Sequence, residues 1–346
     1  MMSDLPDLVQ PGPTTADPNV ADPGTAPEGA GMDPDEGTDM DPGADAGSPG
    51  FPDGFRAGFA ALVGRPNVGK STLLNALMGQ KLSIVTPRPQ TTRHRVLGLR
   101  QAPEFQIAFV DTPGLHHGAR RALNHAMNRT AASVLADADV CVFVVEALHW
   151  TREDDLALEH LKRDGRVVLA AVNKVDQVKP RARLLPFLQE LSHRHPFAEI
   201  VPISAVKGVN LDPLVQAIAS RLPLSPPLFP QGQVWDRDLK FRISEMIREK
   251  LTLELNQELP YGIAVEIETL GEDEGQLVVN AAIWVDREGQ KPIVIGAGGE
   301  RLKRIGRKAR MELNGILGRR LHLTLWVKVR ENWADSARAL TELGLE

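Results

Sequence analysis

The 346-residue sequence contains a single cysteine, Cys141, so a disulfide framework within the chain is excluded. A lone thiol in the apolar run VCVFVV reads as a reduced core residue, and the lack of disulfides points to a reducing compartment. No run approaches the roughly 18 consecutive apolar residues that a membrane-spanning helix needs. The N-terminus shows neither a basic segment nor an apolar segment behind one. The expectation is a soluble, cytoplasmic protein. Positive charge is also absent from the first 55 residues, which hold 12 Asp/Glu and no Lys or Arg. Because the whole chain carries a formal charge of −5, the other 291 residues carry +7, and the body of the protein is basic.

Large apolar side chains are scarce in residues 1–55, which contain 10 Pro and 9 Gly among the acids. Too little apolar surface is available there to offset the entropy of ordering, so this tail is expected to be disordered. It reads either as a solubilising appendage or as an acidic arm that lies on the basic body and competes with polyanions. From Phe59 the pattern changes. FAALV, FQIAFV, VCVFVVEA, VVLAAVN and IVPIS are strand-like, while KSTLLNALM, Leu123 to Leu135, EDDLALEHLKRDG and NLDPLVQAIASRL have helical spacing. Buried strands interleaved with helices predict a doubly wound α/β domain with a mostly parallel sheet over residues 56–222. Residues 223–232, PLSPPLFPQG, carry four prolines and read as a semi-rigid linker. Residues 233–346 give the order αββααβ, a small two-layer α+β domain.

The stretch GRPNVGKST opens the chemistry. Gly64, Arg65, Pro66, Asn67, Val68, Gly69, Lys70 and Ser71 match G-x-x-x-x-G-K-[ST], placed after a strand and at a helix start, with Thr72 continuing into the helix. Backbone N–H groups and the positive helix end can surround phosphate oxygens there. Lys70 is expected to reach the β- and γ-phosphates and Ser71 to ligate Mg²⁺. Asp111, Thr112, Pro113 and Gly114 follow the strand FQIAFV, which lets Asp111 face the metal and Gly114 offer an N–H to a γ-phosphate. Asn173, Lys174, Val175 and Asp176 close the strand VVLAAV. A carboxylate at 176 accepts two parallel bonds from guanine, whereas adenine offers an acceptor and a C–H at that edge, so Asp176 selects GTP over ATP. Ser204 and Ala205 would place a backbone N–H at the guanine carbonyl. His116, His117 and His125 have no Cys or carboxylate at metal spacing and read as part of a solvated switch segment.

In this order the elements identify a translation-factor-like GTPase. GRPNVGKSTLLNALMGQKLSIVTPRPQTTRHR, DTPGLH, NKVD, ISA, VIGAGGERLKRIG and LWVKVRENWAD closely resemble the Era family of bacterial GTPases, over about residues 56–346. Only the acidic tail departs from the family pattern. The resemblance implies that Thr92 closes on Mg²⁺ in the GTP state, with Thr91 as a neighbouring candidate. Leu115 stands where Ras-like enzymes carry a water-orienting glutamine, so intrinsic hydrolysis should be slow. Asn67 looks like the asparagine with which related GTPases hold K⁺ beside the phosphates; the alternative is that it only shapes the loop. Lys70, Thr92, Gly114 and Asn67 are thus the expected catalytic group.

Gly296, Ala297, Gly298 and Gly299 form a G-x-x-G loop between two helices, as in a type II KH domain, where a nucleic-acid backbone approaches closely and about four bases lie in the adjoining groove. Residues 291–330 hold 11 Lys/Arg against 2 Asp/Glu, with Arg301, Lys303, Arg304 and Arg307 nearest the groove. By resemblance the RNA is the 3′ end of 16S rRNA and the process is assembly of the 30S ribosomal subunit by a monomeric, GTP-operated switch. The resemblance extends to peripheral association with the cytoplasmic face of the membrane, for which the sequence shows no anchor. An ATPase, a purely structural RNA-binding module and a signalling GTPase with a protein partner are the competing classes.

Overall fold

Apolar runs without a polar face are stable only when covered on both sides, and here they become the strands of a sandwiched sheet. The computed structural model describes residues 51–89, 91–113, 121–162, 166–235, 237–255 and 259–345. The acidic tail up to residue 50 lies outside them. The first part alternates β1 (Arg56–Val63), α1 (Lys70–Met78), β2 (Val96–Gln101), β3 (Phe105–Asp111), α2 (Ala122–Asp137), β4 (Val140–Glu146), α3 (Arg152–Lys162), β5 (Val167–Asn173), α4 (Leu184–Arg194), β6 (Glu199–Pro202) and α5 (Leu211–Ala219). The sheet order is β2-β3-β1-β4-β5-β6. Every neighbouring pair is parallel except β2, which runs antiparallel to β3. Leu73 and Leu74 of α1 and Val215 and Ile218 of α5 cover one face. Val134, Leu158 and Leu191, from α2, α3 and α4, cover the other. Cys141 is buried in β4.

Two of these elements are absent from the sequence reading. VLGLRQ becomes the edge strand β2, its apolar run interrupted by Gly98 and ending in Arg-Gln. LLPFLQELSHR becomes α4 because Pro186 falls in the first turn, where the missing N–H has no intrahelical partner to lose. That helix supplies the crossover that parallel pairing of β5 with β6 requires.

The C-terminal part contains α6 (Leu239–Glu254), β7 (Ile263–Asp273), β8 (Gln276–Val285), α7 (Lys291–Ile295), α8 (Glu300–Leu317), β9 (Leu321–Val329) and α9 (Ala337–Glu342). β8 pairs antiparallel with β7 and parallel with β9. Alternation along β8 separates two cores. Val279, Ala281 and Ile283 face Ile247 of α6, Val294 of α7 and Ile305 of α8. Ala282 and Trp284 face Trp333 and Leu340 of the C-terminal segment, together with Leu123 and Met127 of α2. The unanticipated helix α9 therefore helps join the two sheets. Among the described residues, no helix is long and apolar enough to cross a membrane.

Residues 223–235 are strapped along the first sheet. Ala57 donates its N–H to the Pro223 carbonyl at 3.3 Å, and Ser225 donates to the Phe55 carbonyl at 3.1 Å. Phe51–Phe55, grouped by composition with the tail, thus belong to the described structure. Gln106, only 2% exposed, accepts the N–H groups of Leu228 and Phe229 at 2.7 and 2.9 Å and donates to the Phe229 carbonyl at 2.8 Å. Leu99 donates to the Val234 carbonyl at 2.8 Å. Replacing Gln106 by Leu strands two backbone donors, each costing on the order of 1–3 kcal/mol. Gln106→Leu is expected to lower the urea midpoint and to open residues 224–232 to limited proteolysis; a cleavage pattern identical to wild type would contradict the strap.

Candidate nucleotide and RNA sites

The turn from β1 to α1 brings the backbone against two other strands. Gly69 has φ 102°, and a Cβ there would lie 2.4 Å from Nδ2 of Asn173. A Cβ on Gly64 would lie 2.3 Å from the Val144 carbonyl oxygen. The first N–H groups of α1 have no intrahelical acceptor and face the turn. Lys70 folds over it, its ammonium donating to the Gly64 and Arg65 carbonyls at 2.8 and 3.0 Å. Burial pulls this ammonium down to about 8 against the opposing charge of Asp111, so a phosphate would restore charge the site lacks. Val68 is buried and its carbonyl accepts Nδ2 of Asn173 at 2.9 Å. Asn67, at φ 63°, donates to the Pro87 carbonyl at 3.1 Å. A cleft of about 380 Å³ lies between Pro66 to Thr72 on one side and Ile84 to Arg88 with Thr91 and Thr92 on the other; Lys174 and Thr112 complete its lining.

At the end of α1 nearest the cleft, Ser71 donates to Oδ2 of Asp111 at 2.6 Å, and its Oγ lies 2.9 Å from Oγ1 of Thr92. Thr92 lies 3.4 Å from the same carboxylate oxygen. Ser83, a residue with no signal in the sequence, donates to it at 3.0 Å. Thr91 turns elsewhere, to Thr86 Oγ1 at 2.6 Å and the Arg88 carbonyl at 2.7 Å. Asp111 is fully buried, and its Oδ1 has no hydrogen-bond partner among the described residues. Burial raises its pKa despite Lys70 and the three hydroxyls. An all-oxygen set around an under-neutralised carboxylate fits a hard divalent cation such as Mg²⁺. Thr112 donates to the Leu62 carbonyl at 3.1 Å, and Pro113 is buried. Gly114, Leu115, His116 and His117 lie outside the described residues. Among the described residues, no group of three or more His, Cys, Asp or Glu is placed to hold a metal.

The third element lies across the cleft. Asn173 accepts the Ala205 N–H at 3.0 Å, tying β5 to the loop after β6. Lys174 adopts φ 65° and Val175 donates its N–H to the Ile203 carbonyl at 3.2 Å. Asp176 is exposed, and its Oδ1 accepts the Ser204 hydroxyl at 2.6 Å, which orients the carboxylate. The Ser204 side chain thus engages Asp176 directly. A further network, unread in the sequence, joins the elements. Arg65 pairs with Asp154 at 3.0 Å and with Glu146 at 3.1 Å, and Glu146 pairs with Lys174 at 2.8 Å.

The G-x-x-G loop is exposed between α7 and α8. Gly296, Gly298 and Gly299 have φ of 76°, 58° and 79°, and nothing lies within 4 Å of a Cβ built on Gly298 or Gly299. Ala297 sits among them in a single 3₁₀ turn. Arg301 donates to the Ile293 carbonyl, bracing the loop. Lys303 pairs with Glu300 at 3.2 Å and Arg304 with Glu254 at 2.9 Å, an acid that Lys308 shares. Arg307 is exposed with no ion pair among the described residues.

Glu146 generates a test in acid. Burial alone would raise its pKa, but the bonds and charges of Lys174 and Arg65 outweigh that and hold it below the ordinary 4.5. A depressed folded pKa stabilises above the unfolded value, and that contribution is lost as pH falls below about 4.5. Glu146→Gln is expected to be less stable than wild type to urea at pH 7, with the difference shrinking below pH 4.5. A difference constant with pH would remove the ion pairs as its source.

The model of the 50S ribosome-binding GTPase family matches residues 59–174, and that of the KH domain matches residues 258–334. GTPase Era of Marinobacter nauticus is 53% identical over 290 residues, spanning 84% of this chain and 95% of that protein. GTPase Era of Pseudomonas aeruginosa strain PAO1 is 50% identical over 294 residues, spanning 85% and 96%. A solved Aquifex aeolicus Era variant bound to GDP·AlF₄⁻ superposes with a TM-score of 0.81 at 42% identity, covering 84% of this chain and 99% of its own. Era in complex with MgGDPNP and nucleotides 1506–1542 of 16S ribosomal RNA gives the same four values. With the phosphate turn, the base-reading loop and the αββααβ module present on one chain in the order of these relatives, the protein belongs to the Era family of GTPases.

Proposed function

We propose that this GTPase is a nucleotide-operated RNA-binding switch that takes the 3′ end of 16S rRNA into its KH groove and assists assembly of the 30S subunit in the cytoplasm, acting as a monomer. The observation that carries the RNA half is the loop Gly296–Gly299. Its left-handed glycines leave room for a phosphodiester backbone, and α8 extends cationic side chains beside it. Arg301 braces the loop, while Lys303, Arg304 and Arg307 are the proposed contacts to phosphate. A relative solved with the 3′-terminal segment of 16S rRNA supports the choice of RNA.

In the nucleotide half, residues Gly64 to Thr72 would hold the phosphates, with the Lys70 ammonium directed at the β- and γ-oxygens. Ser71, Asp111 and Thr92 would hold Mg²⁺, which shields the phosphate charge that builds up during hydrolysis. The hydroxyl geometry favours Thr92 over Thr91 for this role, since only Thr92 lies beside Ser71 and Asp111. Asn173 to Asp176, Ser204 and Ala205 would read the guanine. The flank of Asn67 would take K⁺.

Two measurements test this reading. The chain is expected to bind a short RNA carrying the 16S 3′ end more tightly with a non-hydrolysable GTP analogue than with GDP, and a scrambled RNA weakly in both. The double change Gly298→Asp and Gly299→Asp should abolish the RNA binding and leave guanine-nucleotide affinity in place. Equal binding of both RNAs in both states would defeat the switch. For the potassium site, turnover should be several-fold faster in KCl than in NaCl at matched ionic strength; equal turnover would leave Asn67 a purely structural residue.

A further inference from the structure

The stretches 81–89 and 91–92, which include the residues walling the nucleotide cleft from Ile84 to Arg88 with Thr91 and Thr92, are held on their outer side by the KH domain. Helix α6 presents three buried charges, Glu245, Arg248 and Glu249, at 8%, 4% and 2% exposure. Spacings of three and four residues put them on one face. Arg248 donates from Nε and Nη2 to the two carboxylate oxygens of Glu245 at 2.7 and 2.6 Å, and Nη2 also donates to the Thr91 carbonyl. Oε1 of Glu249 accepts the Val85 N–H at 2.9 Å, and its Oε2 pairs with Lys81 at 2.6 Å. Lys81 also pairs with Glu312 of α8. One peptide unit separates the carbonyl held by Arg248 from Thr92, whose hydroxyl lies 2.9 Å from that of Ser71.

Simple adhesion between the halves would not need this arrangement. Buried ion pairs hold surfaces together no better than apolar residues of equal volume, because desolvation consumes most of their attraction. What charged groups add is direction. Here they are directed at two backbone groups of the switch segment, the Val85 N–H and the Thr91 carbonyl.

We propose that Arg248 and Glu249 are positioning residues for the nucleotide switch: from the KH domain, they hold the backbone at Val85 and Thr91 in the form that places the Thr92 hydroxyl beside Ser71 and Asp111. This rests on the reading of Thr92 as the metal-closing threonine. Its consequence is reciprocal. A triphosphate that recruits Thr92 strengthens the grip of α6 on the segment, and a ligand that shifts α6, including RNA on the neighbouring α8, acts on Thr92.

The test compares equilibrium affinities of the full chain for fluorescent GDP and for a non-hydrolysable GTP analogue, at saturating and at limiting Mg²⁺. The pair Glu245→Met and Arg248→Met is changed together, so that no unpaired charge is left buried. Its GDP affinity should stay within about twofold of wild type, while the affinity for the GTP analogue drops about tenfold and needs more Mg²⁺, the loss expected for one charge-assisted hydrogen bond. Arg248→Lys keeps the charge beside Glu245 but cannot fork to both Glu245 and Thr91. It should shift the ratio in the same direction, and it decides the matter if the double variant misfolds. Glu249→Gln, which still accepts the Val85 N–H, should shift it less. A merely structural role would weaken both nucleotides equally, and that result, or an unchanged ratio, overturns the proposal. Thr92→Ala separates the two ideas. If it loses the preference for the GTP analogue while the α6 variants keep it, only the positioning role falls; if Thr92→Ala changes nothing, the reading of Thr92 falls too.

Discussion

The structure turns on one carboxylate that is short of positive charge. Asp111 ends β3 with no exposure, one oxygen crowded by three hydroxyl groups and the other without a partner among the described residues. A buried anion in that state is costly, and in this fold the cost is met by what the cleft is built to receive. Helix α1 points its positive end into the cleft, Lys70 stands over the turn, and the hydroxyls of Ser71 and Thr92 lie beside the carboxylate. The sheet's role is to bring these groups from three separated segments to the carboxyl ends of parallel strands, where helix starts and loop backbones converge.

Around that centre, two sets of contacts keep the pieces in register. On the floor of the cleft, Arg65, Glu146 and Lys174 link the turn after β1 to the loop after β5, and Asn173 bonds to both the Val68 carbonyl and the Ala205 N–H. On the roof, Arg93 donates to the Ile263 carbonyl at 2.7 Å and His94 to the Gly344 carbonyl at 3.0 Å. Burial holds His94 down to about 4, so it makes this bond as a neutral ring. The chain just after Thr92 is therefore also bound to the C-terminal half.

The parts of this arrangement that were legible in the sequence are those made by neighbours along the chain. Gly64 to Ser71 signal a phosphate turn because spacing alone sets the geometry, and KPIVIGAGGERLKRIG signals a loop between two helices for the same reason. The six strands and their order needed more. β2 escaped notice because an edge strand broken by Gly98 carries little periodicity, and α4 because a proline hides a helix start. Ser83, Glu146, Gln106, Arg248 and Glu249 were illegible for a different reason. Each is an ordinary polar residue with a partner far along the chain, from 28 positions away for Ser83 to 168 for Glu249, so its role exists only after folding.

The strap formed by residues 223–235 also governs how the RNA-binding half can travel. Its backbone is tied to the first sheet at Val234 and Trp235, Arg237 donates to the Arg95 carbonyl at 3.0 Å, and α6 starts at Leu239. Four residues of chain reach about 14 Å at full extension. The KH domain is thus a body on a short tether with a fixed anchor, kept at an effective concentration in the millimolar range or above beside the cleft. Contacts between the halves can then be individually weak and still re-form after every opening.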